Sequence, residues 1–379
     1  MNLRVKQWLD KYPGGMLVIL HVWLVRMVGV LLKRNHTLQR EPETILIIKI
    51  LGLGSVLMAA DALSSLKKRY PNAKLVLLTS VKVAPGIAPL KLFDDIWQID
   101  DRSMGRMLIT SASNLLRCWK MRRMWVVDLE VYSALTTLFS AWTMAINRFG
   151  FELSKVQFRH YINTHHVYFN QFIPVALNYS ELVKAAGVEN ISIFKPPYIH
   201  QSTKRDVVVI NNTCSELGGH LRKLTDSQLK SLCTLLTQSG YRIILAGAPS
   251  DRSKLDLFIQ THFATSESVS HIAGKLTFYE YYHFLSHSCT AMISIDSAPL
   301  HIALMLGVPV VSLWGPINPV QRIQPDKSKR HLSYYLGKSC SPCIHLTEHI
   351  PCNGNNHCMK DMQIATIASL LHTLIYENV

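Results

Sequence analysis

Ile293–Pro316, ISIDSAPLHIALMLGVPVVSLWGP, decides how this chain is read. Ala291–Ile295 is a short apolar strand, Asp296 and Ser297 end it, and Pro299 suits the first turn of a helix. Gly307 closes that helix before a second strand, Pro309–Leu313. The unit is strand, turn, helix, strand, with a carboxylate (Asp296), a hydroxyl (Ser297) and an imidazole (His301) at the helix mouth. First-turn N–H groups and the positive end of the helix dipole make such a mouth an anion site. A simpler reading is that Asp296 or Ser297 only caps its own helix, with His301 a buried structural residue.

Outward from this segment the same alternation recurs. Ile45–Ile50, Lys74–Leu78 and Trp125–Leu129 read as buried strands, and Ser55–Arg69 as a helix with apolar Val56, Leu57, Ala60, Leu63 and Leu66. The pattern weakens between Lys155 and Asn190, and FKPPYIHQSTKRD, Phe194–Asp206, reads as a linker. A second alternation follows with strands at Val207–Ile210, Arg242–Ala246, Ala291–Ile295 and Pro309–Leu313. This predicts an α/β protein of two doubly wound domains, residues 44–193 and 207–379, joined by 194–206. Ligands in such folds bind at the carboxyl ends of strands, and two such edges are expected to face each other across a cleft.

The DSAPLHIA string followed by LGVPVVSLWGP resembles the donor-binding segment of glycosyltransferase family 9, the bacterial lipopolysaccharide heptosyltransferases and their relatives. The resemblance extends over about Thr44–Ile367. In KILGLGSVLMAADAL, Lys49, Gly54 and Val56 match the family's first strand and glycine turn, as does Tyr70-Pro71-Asn72-Ala73 after the helix. It implies a GT-B architecture of two Rossmann-like domains. It implies, too, an enzyme that moves a sugar, a heptose in most members, from a nucleotide-diphosphate donor to a membrane-linked lipopolysaccharide or related envelope glycan.

Residue roles follow by the same match. Gly52 and Gly54 allow close approach of the donor, and Asn212 and Thr213 in VVVINNTCSELGGHLRKLT approach its phosphates. Arg222 neutralises the phosphates with Lys223 beside it, where leaving-group charge grows in the transition state. Leu224-Thr225 stands where the family has Trp-Pro. Asp251, in ILAGAPSD, either meets a ribose hydroxyl or caps the following helix, and Asp296, Ser297 and His301 complete the donor site. Ser55 occupies the position of the family's proposed catalytic aspartate. The base must then come from elsewhere, and Glu130 and Asp128 in WVVDLEVYSAL lie at the carboxyl end of a strand, with Glu130 nearer the loop. The alternative is that either one caps the helix that begins near Ser133, and His165 and His166 are a second pair of candidate bases.

Composition narrows the partners. The chain is 48% hydrophobic and 17% charged, with a formal net charge of +15. Its Lys and Arg residues are scattered, with no helix-turn-helix or RNP-like string, which argues against nucleic acid. A nucleotide-sugar donor, a membrane-linked glycolipid and an anionic membrane surface account for the charge. Residues 1–43 carry the apolar run Met16–Leu32, flanked by Lys6, Lys11, Lys33, Arg34 and Arg40. It is near the lower length limit of about 20 apolar residues for a spanning helix. An interfacial helix and a helix packed on the protein's own core fit it equally, with a transmembrane anchor third. The first reading places the protein on the cytoplasmic face of the bacterial inner membrane.

Cys340, Cys343, Cys352 and Cys358 have spacing compatible with a zinc site, but reduced structural thiols are favoured, so no metal is expected. No cofactor is expected: GT-B enzymes generally work without a catalytic metal, and the chain has no Asp-x-Asp string. Two other classes fit less well. A nicotinamide oxidoreductase should show a third glycine and an acid closing the second strand, where Leu78-Thr79-Ser80 stands instead. A silent envelope-assembly protein that binds nucleotide sugar would explain Ser55.

Overall fold

Two all-parallel six-stranded sheets carry the chain, each flanked by helices, in a computed structural model that describes residues 3–154, 159, 162–214, 219–323, 330–344, 346–347 and 350–377. The chain divides into two compact units, Met1–Lys195 and Pro196–Val379.

In unit 1, helices α1 (Leu3–Leu9) and α2 (Gly15–Leu31) are joined by a π-turn. Then follow β1 (Thr44–Ile48), α3 (Leu53–Met58), α4 (Ala60–Arg69), β2 (Lys74–Ser80), α5 (Ala84–Ile87), β3 (Asp95–Ile99) and α6 (Met104–Trp119). The unit closes with β4 (Met124–Asp128), α7 (Ala134–Trp142), β5 (Asn147–Glu152), β6 (His165–Tyr168) and α8 (Val175–Ala185). Strand order is β3-β2-β1-β4-β5-β6. The chain winds outward from β1, then returns to place β4 on its other side, so the topological switch point lies between β1 and β4. Ile45, Leu46, Ile47 and Ile48 are all buried, as expected of a parallel strand covered on both faces.

Unit 2 repeats the winding. It contains β7 (Val207–Asn211), α9 (Gly219–Arg222), α10 (Asp226–Gln238), β8 (Arg242–Ala246), α11 (Arg252–Phe263), β9 (Val269–His271) and α12 (Phe278–His287). Next come β10 (Ala291–Ile295), α13 (Ala298–Leu306), β11 (Val310–Trp314), β12 (His331–Tyr335), α14 (His357–Lys360) and α15 (Ile364–Tyr376). The order β12-β11-β10-β7-β8-β9 puts the switch point between β7 and β10. The apolar core of this unit runs from Val208 and Ile210 through Ile293 and Ile295 to Leu371 on α15.

Several expected boundaries shift for physical reasons. β1 ends at Ile48, not Ile50, because the Ile50 and Leu51 N–H groups turn away to meet Glu130. The expected helix Ser55–Arg69 begins at Leu53 and is interrupted at Ala59 (φ −86°, ψ −5°). β11 starts after Pro309, whose nitrogen cannot donate to a ladder. The weakly patterned 155–190 region holds β6 and α8. Within 194–206, the Phe194 N–H donates to Asp61 in unit 1, while His200 and Gln201 donate to the Leu306 and Ser286 carbonyls in unit 2.

The amino-terminal helices are built into unit 1. Val18 is fully buried against Ala134, Leu138, Ala141 and Ile162, with Val22 and Val25 alongside. Asp10 caps α7: its carboxylate accepts from Ser133 Oγ at 2.7 Å, Leu135 N at 2.9 Å and Ala134 N at 3.1 Å. Past the far end of the helix, Arg34 donates to the Met144 and Ala145 carbonyls. Thus α2 runs alongside α7 in the same direction. Its outer face stays apolar and open, with Ile19 67%, Trp23 76% and Val30 78% exposed.

Candidate functional site

In unit 2 the switch point is built by the ends of β7 and β10. β10 is buried through Ile295, and the chain leaves it at Asp296 and Ser297 to enter α13, which ends on Gly307 at φ +77°. That positive φ is why glycine closes the helix. The Ser297 hydroxyl makes no capping bond to its helix. It accepts from Asn211 Nδ2 at 2.7 Å and donates to the Ile295 carbonyl at 3.3 Å. The plain N-cap reading of Ser297 is thereby overturned, and the first turn of α13 keeps donors for an anion.

Asp296 sits at this mouth, 8% exposed. Arg222 Nη1 lies 3.4 Å and His301 Nε2 3.7 Å from its carboxylate. Burial pushes the Asp296 carboxyl up, but the His301 hydrogen bond and the charges of Arg322 and Arg222 together hold it below the usual carboxylate range. Two guanidiniums thus act on one carboxylate, and among the described residues the buried Nε atoms of both Arg222 and Arg322 find no hydrogen-bond partner. Buried donors are normally satisfied, so this pair is the candidate anion site of unit 2.

Structure and sequence differ on the neighbours. Asn212 does not reach toward a ligand: its amide bridges Leu224, donating to the carbonyl at 3.0 Å and accepting the N–H at 2.8 Å. Asn211, one residue earlier, touches Ser297, Ser294 and the Thr213 carbonyl. Thr213 donates to Asn211 Oδ1. Asp251 stands at the start of α11 but makes no side-chain capping bond to it; its carboxylate accepts Ala248 N at 3.0 Å within the turn Pro249–Asp251. Lys223 lies partly buried beside Arg222. Arg322, which follows the Pro319–Gln321 turn, is the cation that sequence reasoning missed.

In unit 1 the β1/β4 switch point carries charge pairs. Glu130 accepts Lys49 Nζ at 2.6 Å, Ile50 N at 3.0 Å and Leu51 N at 3.3 Å, and its side chain is 16% exposed. Asp128 is fully buried, bound to Arg159 Nη2 at 2.5 Å, Thr136 Oγ1 at 3.1 Å and the Glu130 N–H at 3.0 Å. Burial drives its carboxyl upward against the opposing pull of Arg159. An acceptor hydroxyl has no route to it, so Asp128 is removed as a candidate base. Gly52 takes φ +91° ahead of α3, which explains glycine there, while Gly54 lies inside the helix. Ser55 stands in the first turn of α3, its Oγ facing Gly52. His165 and His166 fall at the start of β6, the amino edge of the sheet, with His165 stacked on Phe149 at 4.5 Å. His165 is a packing residue.

All eight cysteines are free. Cys340, Cys343, Cys352 and Cys358 line one small cavity of about 50 Å³ together with Leu221 and Pro316. Among the described residues, no group of three or more His, Cys, Asp or Glu side chains is arranged to hold a metal ion. The segment instead braces the donor edge: Asn356 donates to the Leu221 carbonyl beside Arg222, and Cys343 N donates to the Pro316 carbonyl after β11.

Comparison with known proteins supplies the family. The model of glycosyltransferase family 9 (heptosyltransferase) matches residues 151–353, more than half of the chain. Lipopolysaccharide heptosyltransferase 3 of Escherichia coli is 23% identical over 297 residues, covering 70% of this chain and 82% of that protein. Among solved structures, the ADP-heptose lps heptosyltransferase II of E. coli superposes with TM-score 0.66 at 16% identity, covering 88% of this chain and 99% of that one. A glycosyl transferase family 9 protein from Veillonella parvula gives TM-score 0.69 at 16% identity, covering 88% and 97%. With two Rossmann-like units of matching topology and a donor-type turn at Asp296, the chain belongs to glycosyltransferase family 9 and is a glycosyltransferase of the GT-B fold.

Proposed function

We propose that the protein transfers a heptose from an ADP-heptose-type nucleotide sugar to a lipopolysaccharide-type glycolipid acceptor at the cytoplasmic face of a bacterial inner membrane. The observation that carries this reading is the pair of guanidiniums, Arg222 and Arg322, with unfilled buried Nε donors beside the uncapped start of α13. A diphosphate leaving group gains charge as the glycosidic bond breaks, and fixed donors aimed at it stabilise the transition state more than the ground state. Two of the relatives named above, both from Escherichia coli, are by their names lipopolysaccharide heptosyltransferases, and one of these is an ADP-heptose enzyme.

Glu130 is the carboxylate at the unit 1 switch point that retains solvent exposure, and in this reading it takes the acceptor proton. Lys49 and the two loop amides fix its orientation. The membrane part of the reading rests on the open face of α2. Because α2 is pinned along its length to α7, its apolar side faces outward as a strip, which suits lying in the interface plane more than crossing the bilayer. Helix α6, packed on the same sheet face, adds exposed Leu108, Ile109, Leu116 and Trp119. The contiguous helix Gln7–Leu31 is long and apolar enough to cross a membrane by length alone.

The test is donor turnover by purified protein supplied with ADP-heptose and a lipid A–core acceptor. Arg222→Ala and Arg322→Ala should each lower kcat by roughly 100-fold, the scale for losing one preorganised charge donor. Asp296→Ala should mainly weaken donor binding. An Arg222→Ala enzyme that turns over at the wild-type rate would remove the phosphate assignment. Donor binding without any turnover in the wild type would favour the silent assembly protein that Ser55 suggests.

A further inference from the structure

The amino edge of the unit 1 sheet, opposite the edge that carries Glu130, holds an open cavity of about 360 Å³. It lies where β4 and β5 begin and where the chain leaves α2. Arg34, Arg123, Trp119, Met121, Thr143 and Met144 are among its lining residues. The lining is therefore cationic at two points and apolar between them.

The charge here is compensated only at Arg123, which pairs with Glu43. Arg34 is bonded only to the carbonyls of Met144 at 2.6 Å and Ala145 at 3.1 Å. Behind it Arg148 is 6% exposed and likewise bonded only to carbonyls, of Ile162 and Ala145, both at 2.9 Å. Burial, with Arg34 as a cationic neighbour, pulls the Arg148 guanidinium down to about 10. Glu43 pairs with Arg123 and so offsets that one cation, but no carboxylate among the described residues pairs with Arg34 or Arg148. One half-buried guanidinium in the pocket lining, Arg34, and the buried Arg148 guanidinium that shares the Ala145 carbonyl with it create a local excess of positive potential that an anion would relieve.

The surroundings define what kind of anion. Trp119 and Trp142 are 57% and 41% exposed at the rim, tied by a Trp119 Nε1 bond to the Trp142 carbonyl, and Met144 is 41% exposed. Trp142 packs on His21 of α2 at 5.4 Å, so this rim is continuous with the apolar strip that ends at Leu31 and Leu32. Indole rings beside a cationic pocket at the end of an apolar strip suit a ligand with a phosphate head and acyl tails.

We propose that this cavity seats the phosphate of an anionic phospholipid, with the glycerol end against Trp119 and Met144 and the acyl chains continuing along the open face of α2. The proposal rests on the membrane reading of α2 but is tested separately from it. The phosphate is held by Arg34, with Arg148 supplying field from behind and Arg123 shared with Glu43. The site is remote within its own unit from the β1/β4 switch point, so it bears on membrane attachment and not on the chemistry of transfer.

The test uses the full chain and dihexanoyl phosphatidylglycerol below its micelle concentration, read by Trp fluorescence and calorimetry, with dihexanoyl phosphatidylcholine and inorganic phosphate as comparators. Phosphatidylglycerol should bind at least tenfold more tightly than either comparator. Arg34→Met should lose at least tenfold of that affinity, and Met121→Trp, which fills the cavity and leaves both arginines in place, should lose as much. Circular dichroism checks that both variants are folded; if Arg34→Met is not, Met121→Trp and Arg123→Gln carry the test. Equal affinity for the two lipids, or unchanged binding in Met121→Trp, would overturn the proposal. Phosphate binding as strong as phosphatidylglycerol would overturn it in favour of a free anion. Vesicle binding lost in Trp23→Ser while dihexanoyl phosphatidylglycerol still binds would confirm the pocket independently of α2 docking; soluble-lipid binding lost while vesicle binding persists would leave only the α2 reading standing.

Discussion

Deletion of residues 1–31 should destabilise unit 1 markedly. The deleted segment buries Val18 completely and Val22 and Val25 in part against α7, and Asp10 caps α7 with three hydrogen bonds. Full burial of a valine contributes about 1.5–3 kcal/mol, and two half-buried valines add a similar amount. Loss of the cap costs about 1 kcal/mol. The sum, about 4–7 kcal/mol, is comparable with the whole stability of many domains, about 5–15 kcal/mol. For a unit of this size each kcal/mol moves Tm by about 2–4 °C, so a fall of about 8–28 °C is expected. Differential scanning calorimetry should show it in one of the two unit transitions, with Asp10→Ala alone reproducing about 2–4 °C. A truncated protein melting within 2 °C of the full chain would refute the claim that these helices are integral. It would restore the view of residues 1–43 as a detachable segment.

Three other outcomes are expected. Glu130→Gln keeps an oxygen for the Ile50 and Leu51 amides, so it should fold and bind donor while losing about 100-fold or more in kcat; wild-type turnover would end its assignment as base. Arg159→Met strands the fully buried Asp128 carboxylate and should cost about 3–5 kcal/mol in urea unfolding, whereas a neutral result would show that the pair contributes nothing net. His331, donor or acceptor to Ser312 Oγ at 2.7 Å, is lowered to about 4 by burial, with His301 nearby. The unfolded chain takes up that proton below pH 6.5 and the folded protein does not, so stability should fall as pH drops from about 6.5 towards 4. His331→Asn should flatten that slope in pH-dependent melting curves.

Strands buried at every residue, such as β1, β10 and β11, were legible because burial on both faces leaves a hydrophobic run broken by at most one hydroxyl residue, Thr44, Ser294 or Ser312. β3 (DIWQI) and β6 (HHVY) escaped because outer strands carry polar residues and lose that signature. The choice between Asn211 and Asn212 was not legible for a different reason. Successive strand residues point to opposite faces, so a one-residue difference in where β7 ends exchanges a side chain at the ligand edge for one that staples a loop. Asp10 capping α7 and Arg322 acting on Asp296 were hidden because each joins segments far apart in sequence.

The two switch points have the same topology but opposite electrostatic character, and that contrast supports a division of labour. At β1/β4, Lys49 offsets Glu130 and Arg159 offsets Asp128, so the edge is close to neutral and holds its one exposed carboxylate in a fixed orientation. At β7/β10, Arg222 and Arg322 outnumber Asp296, and two guanidinium Nε donors have no partner among the described residues. A diphosphate would find attraction at the second edge and none at the first, while an uncharged hydroxyl that must lose a proton needs the carboxylate of the first. Ser55, in place of an acid, keeps the first edge from acquiring an additional negative charge beside Glu130. Reversing this contrast is a direct check: Ser55→Asp should leave donor affinity unchanged, since the proposed donor site lies in unit 2, and should not restore turnover to Glu130→Gln. A restored rate would move the base from β4 to the first turn of α3.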